Sequence, residues 1–284
     1  MSVIDLSADR YHADQVADRP TLSASIAHIL CTSSPKHAWT AHPKLNPAYR
    51  RDEQEHFDIG TVAHAMLLEG DASCVEVLDF DDWRKQAAQD AREVVRASGR
   101  IPLLAKHWDA VAAMVAAARD QLAALDVAPP LFTDGKPEQT LVWEERGVAC
   151  RARLDWLRDD RAAVDDYKTT GRTADPAAFS RAMFDRGYDL QAAFYLRGLH
   201  AVTGADAEFR FCVQETQPPY ALSVVAPSPA AYALANDKIE YALAAWKRGL
   251  DTGEWPAYPV KVCYADVPTW HEVAWLDKEA REAA

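Results

Sequence analysis

The 284-residue sequence predicts a mixed α/β (α+β) fold from three observations. Apolar residues recur at helical spacing through much of residues 1–130. The period then shortens to strand-like alternation over 138–170, and again over 207–227. Helical patterns return between and after these runs, an order that suits helices packed on a central sheet.

Taken in order, residues 1–20 are polar and expected to be extended. TLSASIAHIL (21–30) starts a helix with Thr21 or Ser23 as its cap, and Pro35 breaks or restarts it. Residues 40–56 read as a loop with positive charge at Lys44, Arg50 and Arg51. GTVAHAMLLEG (60–70) is a helix closed by Gly70. Residues 81–98 and 101–125 are Ala-rich and read as two scaffold helices. EQTLVWEE (138–145), GVACRARLDWLR (147–158) and AAVDDYKTT (162–170) alternate like strands, with turn signals at Gly147 and Arg158-Asp159-Asp160-Arg161. Asp175-Pro176 opens a helical region over 175–200, split by Gly187 and ended by Gly204. AEFRFCVQET (207–216) and YALSVVAP (220–227) are two more strands, and Ser228-Pro229 opens a last helix to about residue 250. The tail, 251–284, is expected to be irregular until a short charged end. The whole chain, 1–284, reads as one domain: a mostly helical part (1–130), a core (131–258) and a C-terminal tail (259–284).

Composition excludes some functions. With 49% apolar and 26% charged residues, the chain can bury a core. No apolar stretch approaches the ~20 residues of a membrane span, and MSVIDLSADRYHADQ lacks a signal-peptide pattern. Five scattered cysteines without CxxC spacing argue against a disulfide framework or a zinc site, and fit free thiols in the cytoplasm. A net charge of −12 counts against a sequence-reading DNA binder, but it does not report where the charges sit.

The chemistry is concentrated in the hairpin at 147–168. Asp166 and Lys168 are two apart in a strand and share a face. A turn centred between Asp160 and Arg161 would place Asp155 directly across from Asp166. Two opposed carboxylates repel, and a bound divalent cation would turn that cost into binding energy. Oxygen ligands of this kind suit Mg²⁺ or Mn²⁺. Strict alternation also puts Arg151 and Arg153 on the face of Asp155, where Arg153 could hold a phosphate or neutralise a carboxylate. DxK alone is common, and solvated turn-side charges would account for it equally well.

A longer pattern narrows the reading. LSASIAHILCTSSPKHAW, GTVAHAMLLEG, CRARLDWL, VDDYKTT, FDRGYDLQAAFY and TGEWPAY, in that order over roughly residues 20–258, resemble the PD-(D/E)xK nuclease superfamily. The branch they resemble has a QxxxY motif, and within it the RecE-like exonucleases (exodeoxyribonuclease VIII type) of phages and prophages. The resemblance implies a restriction-endonuclease-like core, in which a mixed sheet is flanked by helices. It implies Asp155, Asp166 and the backbone carbonyl of Tyr167 as metal ligands, His64 as a ligand of a second metal or its neighbour, and Lys168 as the catalytic lysine. Gln191 and Tyr195, one helical turn apart, would support the lysine and the DNA strand. Glu138 occupies a position where related nucleases carry an acidic residue. Ser23, Ser25, Thr169 and Thr170 are further candidates for DNA contact, although helix capping is the favoured role of the two serines. The motif's proline is Leu154 here; it is not a ligand position.

The implied activity is a Mg²⁺-dependent 5′→3′ exonuclease with two ions per site, acting on linear double-stranded DNA. It would leave 3′ tails for a single-strand annealing protein, and would work as a ring-shaped homo-oligomer (trimer or tetramer). Lys36, Lys44, Arg50, Arg51 and Arg172 are candidates for a basic channel. Relatives with an iron–sulfur cluster carry cysteines clustered near the end, and this chain does not, so no such centre is expected. Two alternatives stay open: a nuclease on single strands or flaps of the CRISPR-adaptation type, and a catalytically silent DNA-end-binding subunit.

Overall fold

The computed structural model describes residues 2–50, 55–70 and 72–282. Its strands are β1 (Ser2–Asp5), β2 (Val75–Leu78), β3 (Ile101–Leu104), β4 (Gly135–Glu145), β5 (Val148–Arg158), β6 (Ala163–Thr170), β7 (Glu208–Glu215) and β8 (Leu222–Val225). Its helices are α1 (Ala8–His12), α2 (Ala24–Thr32), α3 (Pro35–Thr40), α4 (Glu55–His64), α5 (Gln86–Ala97), α6 (Ala105–Ala124), α7 (Pro176–Asp185), α8 (Tyr188–Thr203), α9 (Pro229–Thr252) and α10 (Thr269–Glu282). A π-helical turn, Ala65–Glu69, continues α4.

Six strands make one mixed sheet in the order β1-β4-β5-β6-β7-β8. β6 and β7 are parallel, joined by the crossover through α7 and α8, and the other neighbours are antiparallel. One face is covered by α2, α8 and α9, which bury Leu30, Leu190, Phe194 and Trp246 against Trp143, Leu154, Phe209 and Phe211. The other is covered by α4 and α6, whose Val62, Met114 and Val115 pack with Tyr167 and Cys212. Helices on both faces of a mixed sheet are the predicted architecture. Glycine brings α8 close to the sheet: a Cβ on Gly198 would lie 2.7 Å from the Trp143 ring.

The structure departs from the sequence reading in four places. Residues 2–12 are not merely extended: β1 pairs with β4, and α1 follows. Residues 101–104 form β3, which pairs in parallel with β2 as a separate two-stranded sheet, so the scaffold helix starts at Ala105. The helix expected from residue 81 starts at Gln86. The tail holds a fourteen-residue helix, α10, which has no buried residue. Among the described residues no helix is long and apolar enough to cross a membrane.

Candidate active site

The turn at Asp160-Arg161 fixes the register of β5 and β6. The pairs Trp156↔Asp165 and Leu157↔Val164, continued by one step, set Asp155 opposite Asp166. On the other side of β5, the pairs Pro137↔Trp156 and Gln139↔Leu154 bracket Glu138 opposite Asp155. Three carboxylates therefore stand in one row across β4, β5 and β6.

The row sits where regular pairing fails. Leu154 and Leu157 both enter the core beneath α8, while Trp156 packs on the opposite side, so strict alternation breaks at Asp155. Glu138 has a left-handed backbone, φ 58°, which costs a non-glycine residue about 1 kcal/mol. In place of a strand partner, Asp155 accepts a 2.9 Å hydrogen bond from the Tyr167 amide. The N–H and C=O of one strand residue point to the same edge, so the Tyr167 carbonyl also faces the gap beside β5. The Tyr167 ring goes the other way, and its hydroxyl donates to Gln214 at 2.5 Å.

Other elements converge on this row. His64, the last residue of α4, lies between two carboxylates: Nε2 is 3.2 Å from Asp155 and Nδ1 is 3.3 Å from Glu138. Lys168 is ion-paired with Asp166, and its ammonium lies 5.2 Å from the centre of the Tyr188 ring. From α8, Gln191 donates to the other oxygen of Asp166 at 2.8 Å. Tyr195, one turn further on, is buried and packs on Phe209.

Crowding shows in the proton affinities. Asp166 is fully buried; burial and the neighbouring Asp155 raise its carboxyl to about 7. Burial also raises Glu138, against the pull of His64 and Arg153. Asp155 is held low, because His64, Lys168 and the Tyr167 amide outweigh its burial. Burial opposes the charge on His64, yet Asp155 and Glu138 lift it to about 9. Burial likewise opposes the charge on Lys168, but Asp166 and Asp155 raise it and keep it an ammonium.

The site opens into a cleft of about 810 Å³ whose walls include Lys168, Thr169, Thr170, Arg172, Arg186 and Tyr188. Arg172, Thr169 and Thr170 are thus placed beside the carboxylates. Arg186 and Tyr188 are additions that the sequence reading missed. Their signal was available, since both lie in FDRGYDLQAAFY, directly before Gln191. A third addition is Glu69, the last acid of the GTVAHAMLLE segment, whose carboxylate lies near His64 and Glu138.

Several expected DNA contacts are placed elsewhere, and the N-terminal segment is the main reason. Arg151 is buried; it pairs with Asp14 at 2.6 Å and donates to the Thr21 carbonyl at 3.0 Å. Its guanidinium is committed to holding that segment and does not share a site with Asp155. Arg153 is bound to Glu138 and to the Leu6 carbonyl, so the carboxylate-neutralising alternative fits its position. Ser23 caps α2 by accepting from the Ile26 amide, whereas Ser25 is exposed on that helix. Lys44 donates to the Ala17 carbonyl, Lys36 lies 4.0 Å from the centre of the Trp39 ring, and Arg50 donates to the Tyr49 carbonyl at 2.7 Å. None of these three lines the cleft. Arg51 lies outside the described residues.

The donor set fits a hard divalent cation. It gathers carboxylate oxygens and a backbone carbonyl edge around a buried acid that burial and a like charge keep from ionising freely. A cation there would relieve the repulsion.

Comparison with known proteins agrees with this architecture. A protein of Eubacterium rectale described as a candidate exonuclease superposes with a TM-score of 0.62 at 12% identity, covering 95% of this chain and 99% of the other. A phage-related exonuclease from Haemophilus somnus 129PT matches at TM-score 0.33 and 10% identity, over 82% of this chain and 96% of that one. Among curated proteins none matches the sequence. The family model of the PDDEXK-like domain of unknown function DUF3799 matches residues 31–266. That span carries His64, the three-carboxylate row, Lys168 and Gln191, and the chain therefore belongs to this PDDEXK-like family and is a nuclease of the PD-(D/E)xK type.

Proposed function

We propose that the protein is a Mg²⁺-dependent 5′→3′ exonuclease that degrades linear double-stranded DNA and leaves 3′ single-stranded tails. The observation that carries this reading is the convergence of Asp155, Asp166, Lys168, His64 and Gln191, with His64, Asp155 and Lys168 lining a cleft together with Arg172 and Arg186. Asp155, Asp166, the Tyr167 carbonyl and His64 would hold Mg²⁺ or Mn²⁺, two ions in all. Bound there, the metal would supply Lewis-acid chemistry, polarising a phosphoryl oxygen and lowering the pKa of water.

The chain's own groups do the rest. Lys168 stays an ammonium, so its part is to orient the water and offset charge building on the phosphorane rather than to remove a proton. Gln191 holds Asp166 in place, and Tyr195 buttresses the helix that presents Gln191. Arg172, Arg186, Thr169 and Thr170 would take backbone phosphates, which fits binding without base contacts. An acidic exterior with cations gathered at the cleft reconciles this reading with the net charge of −12. The finer reading includes a ring-shaped trimer or tetramer around the duplex, a single-strand annealing partner in phage-type recombination, and a cytoplasmic setting.

The test uses end-labelled linear duplex, single-stranded DNA and closed circles, each with Mg²⁺ or with EDTA, beside Asp155→Ala. Mg²⁺-dependent loss of the linear duplex from its 5′ ends, abolished in the variant, is the expected result. Cutting confined to single strands, or none at all, would overturn it. Sedimentation of the same protein reports whether it is a trimer or tetramer.

A further inference from the structure

Among the described residues, Glu69 is an acid beside the row that has no part in the proposed chemistry. Its position follows from how α4 ends. Had α4 continued as an α-helix, five residues at about 100° each would turn Glu69 roughly 140° away from His64. The Ala65–Glu69 segment is π-helical instead. Its i→i+5 bonding brings residue i+5 back under residue i, and such turns are frequent at functional sites. Gly70, at φ 67°, ends the turn directly afterwards.

The consequence is a second cluster of donors next to the first. A carboxylate oxygen of Glu69, a ring nitrogen of His64 and a carboxylate oxygen of Glu138 all lie within 4.8 Å of one another. Ligands on opposite sides of one small cation are separated by about 4.2 Å, twice a bond of 2.0–2.1 Å. The cluster is therefore within a small side-chain rotation of a coordination shell. It is not another view of the Asp155–Asp166 pair, because Glu69 comes from the end of the π turn and Glu138 from β4.

We infer that Glu69 is a direct ligand, through its carboxylate, of a divalent cation held on the His64–Glu138 side of the site. This rests on the metal-dependent nuclease reading for the purpose of the ion, not for its location. The donor set also sets a preference. An imidazole nitrogen with two carboxylates favours Mn²⁺ over Mg²⁺, since carboxylate and water alone suit Mg²⁺ and imidazole suits the later metals.

Mn²⁺ titration of the DNA-free protein, followed by calorimetry and by the Mn²⁺ electron paramagnetic resonance signal, tests the assignment. Wild type, Glu69→Gln, Asp155→Ala and the double variant are compared, and melting curves check that each is folded. Glu69→Gln is expected to weaken one Mn²⁺ binding event by about 10–100-fold and to leave the event removed by Asp155→Ala unchanged. Mg²⁺ is expected to compete less well for the event lost in Glu69→Gln than for the other. Equal Mn²⁺ affinity and stoichiometry in Glu69→Gln and wild type would overturn the assignment, whether or not DNA is cut. If Glu69→Gln loses its Mn²⁺ event but the wild type cuts no DNA, the ligand assignment stands and the exonuclease reading falls.

Discussion

Asp166→Asn should stabilise the metal-free protein while abolishing its chemistry. The Asp166 carboxyl is fully buried, and burial with the neighbouring Asp155 raises it to about 7. Its unfolded value is near 3.8, so ionising it in the fold costs up to about 4 kcal/mol, at 1.36 kcal/mol per unit. Asparagine keeps the shape and can keep the 2.8 Å contact with Gln191, but it gives up the Lys168 ion pair. The value of about 7 already contains the attraction of Lys168, and an amide reproduces the neutral acid only in part, so the expected net gain above pH 7 is roughly 1–3 kcal/mol.

For a chain near this size, that corresponds to roughly 2–10 °C in Tm. The pH dependence gives the sharper signature. Between pH 3.8 and about 7 the folded wild type holds a proton that the unfolded chain has released. The stability from this carboxyl is therefore complete below the lower value and lost as pH rises through the upper one. The Asn variant lacks that slope, so the two melting curves should diverge as pH rises from 5 to 8. Scanning calorimetry in EDTA measures it. Saturating Mn²⁺ should reverse the order, because only the wild type gains binding free energy. A lower Tm for Asp166→Asn in EDTA at pH 8 would refute the claim that this carboxylate is strained.

Three further outcomes follow from the same geometry. Lys168→Ala should lower single-turnover cleavage by about 10²–10³-fold while Mn²⁺ still binds by calorimetry; an unchanged rate would remove Lys168 from the chemistry. His42 is buried, with Nε2 3.1 Å from the Thr21 carbonyl and Nδ1 accepting from the Lys44 amide at 3.3 Å, which satisfies the neutral ring. Burial lowers it to about 4 despite Asp14 at 3.4 Å. Its contribution is thus full above pH 6.5 and lost as pH falls through 4, by up to about 3 kcal/mol; a His42 NMR resonance titrating near 6.5 would contradict this. Gly187, at φ 70°, would place a Cβ 2.2 Å from the His28 ring, so Gly187→Ala should lower stability by about 2 kcal/mol or more, and a melting temperature within 1–2 °C of wild type would count against the close approach.

What was legible in the sequence depended on how local the cause was. The β5–β6 hairpin and the Asp155–Asp166 juxtaposition follow from a turn at Asp160-Arg161, because one tight turn fixes the register of both strands. The split at Gly187 and the stop at Gly204 are legible in the same way, each glycine having positive φ. β2 and β3 were not, since four residues carry little period and tertiary packing decides them.

The site divides along the same line. Strict alternation assigned Arg151 and Arg153 to the face of Asp155, but the partners that claim them come from Asp14, Thr21 and Leu6, more than 120 residues away. The carboxylate row itself depends on an irregularity, the left-handed Glu138 opposite Asp155, which no period in the sequence announces. Glu69 was hidden by a helix geometry. At α spacing it points away from His64, and only the π turn restores it.

The row explains why these cations stand where they do. Glu138, Asp155 and Asp166 bring three carboxyl groups together; Arg153 faces Glu138, Lys168 faces Asp166, and His64 lies between Asp155 and Glu138. Arg153 is fixed by a second bond to the Leu6 carbonyl, so it stays beside Glu138 and offsets part of its charge. Lys168 has no comparable backbone anchor among the described contacts, and His64, held by Asp155 and Glu138, must lose its proton to act as a ligand. The metal-free arrangement is therefore a balanced ground state whose two adjustable charges are the groups that the proposed chemistry needs elsewhere. On the proposed reading Asp155, Asp166 and His64 would hold a dication, which would supply the positive charge that the proton on His64 otherwise supplies, and Lys168 would then be available to a phosphate in the cleft. Positioning by Gln191 would matter more in that state, because its 2.8 Å hydrogen bond is the contact from α8 that holds Asp166.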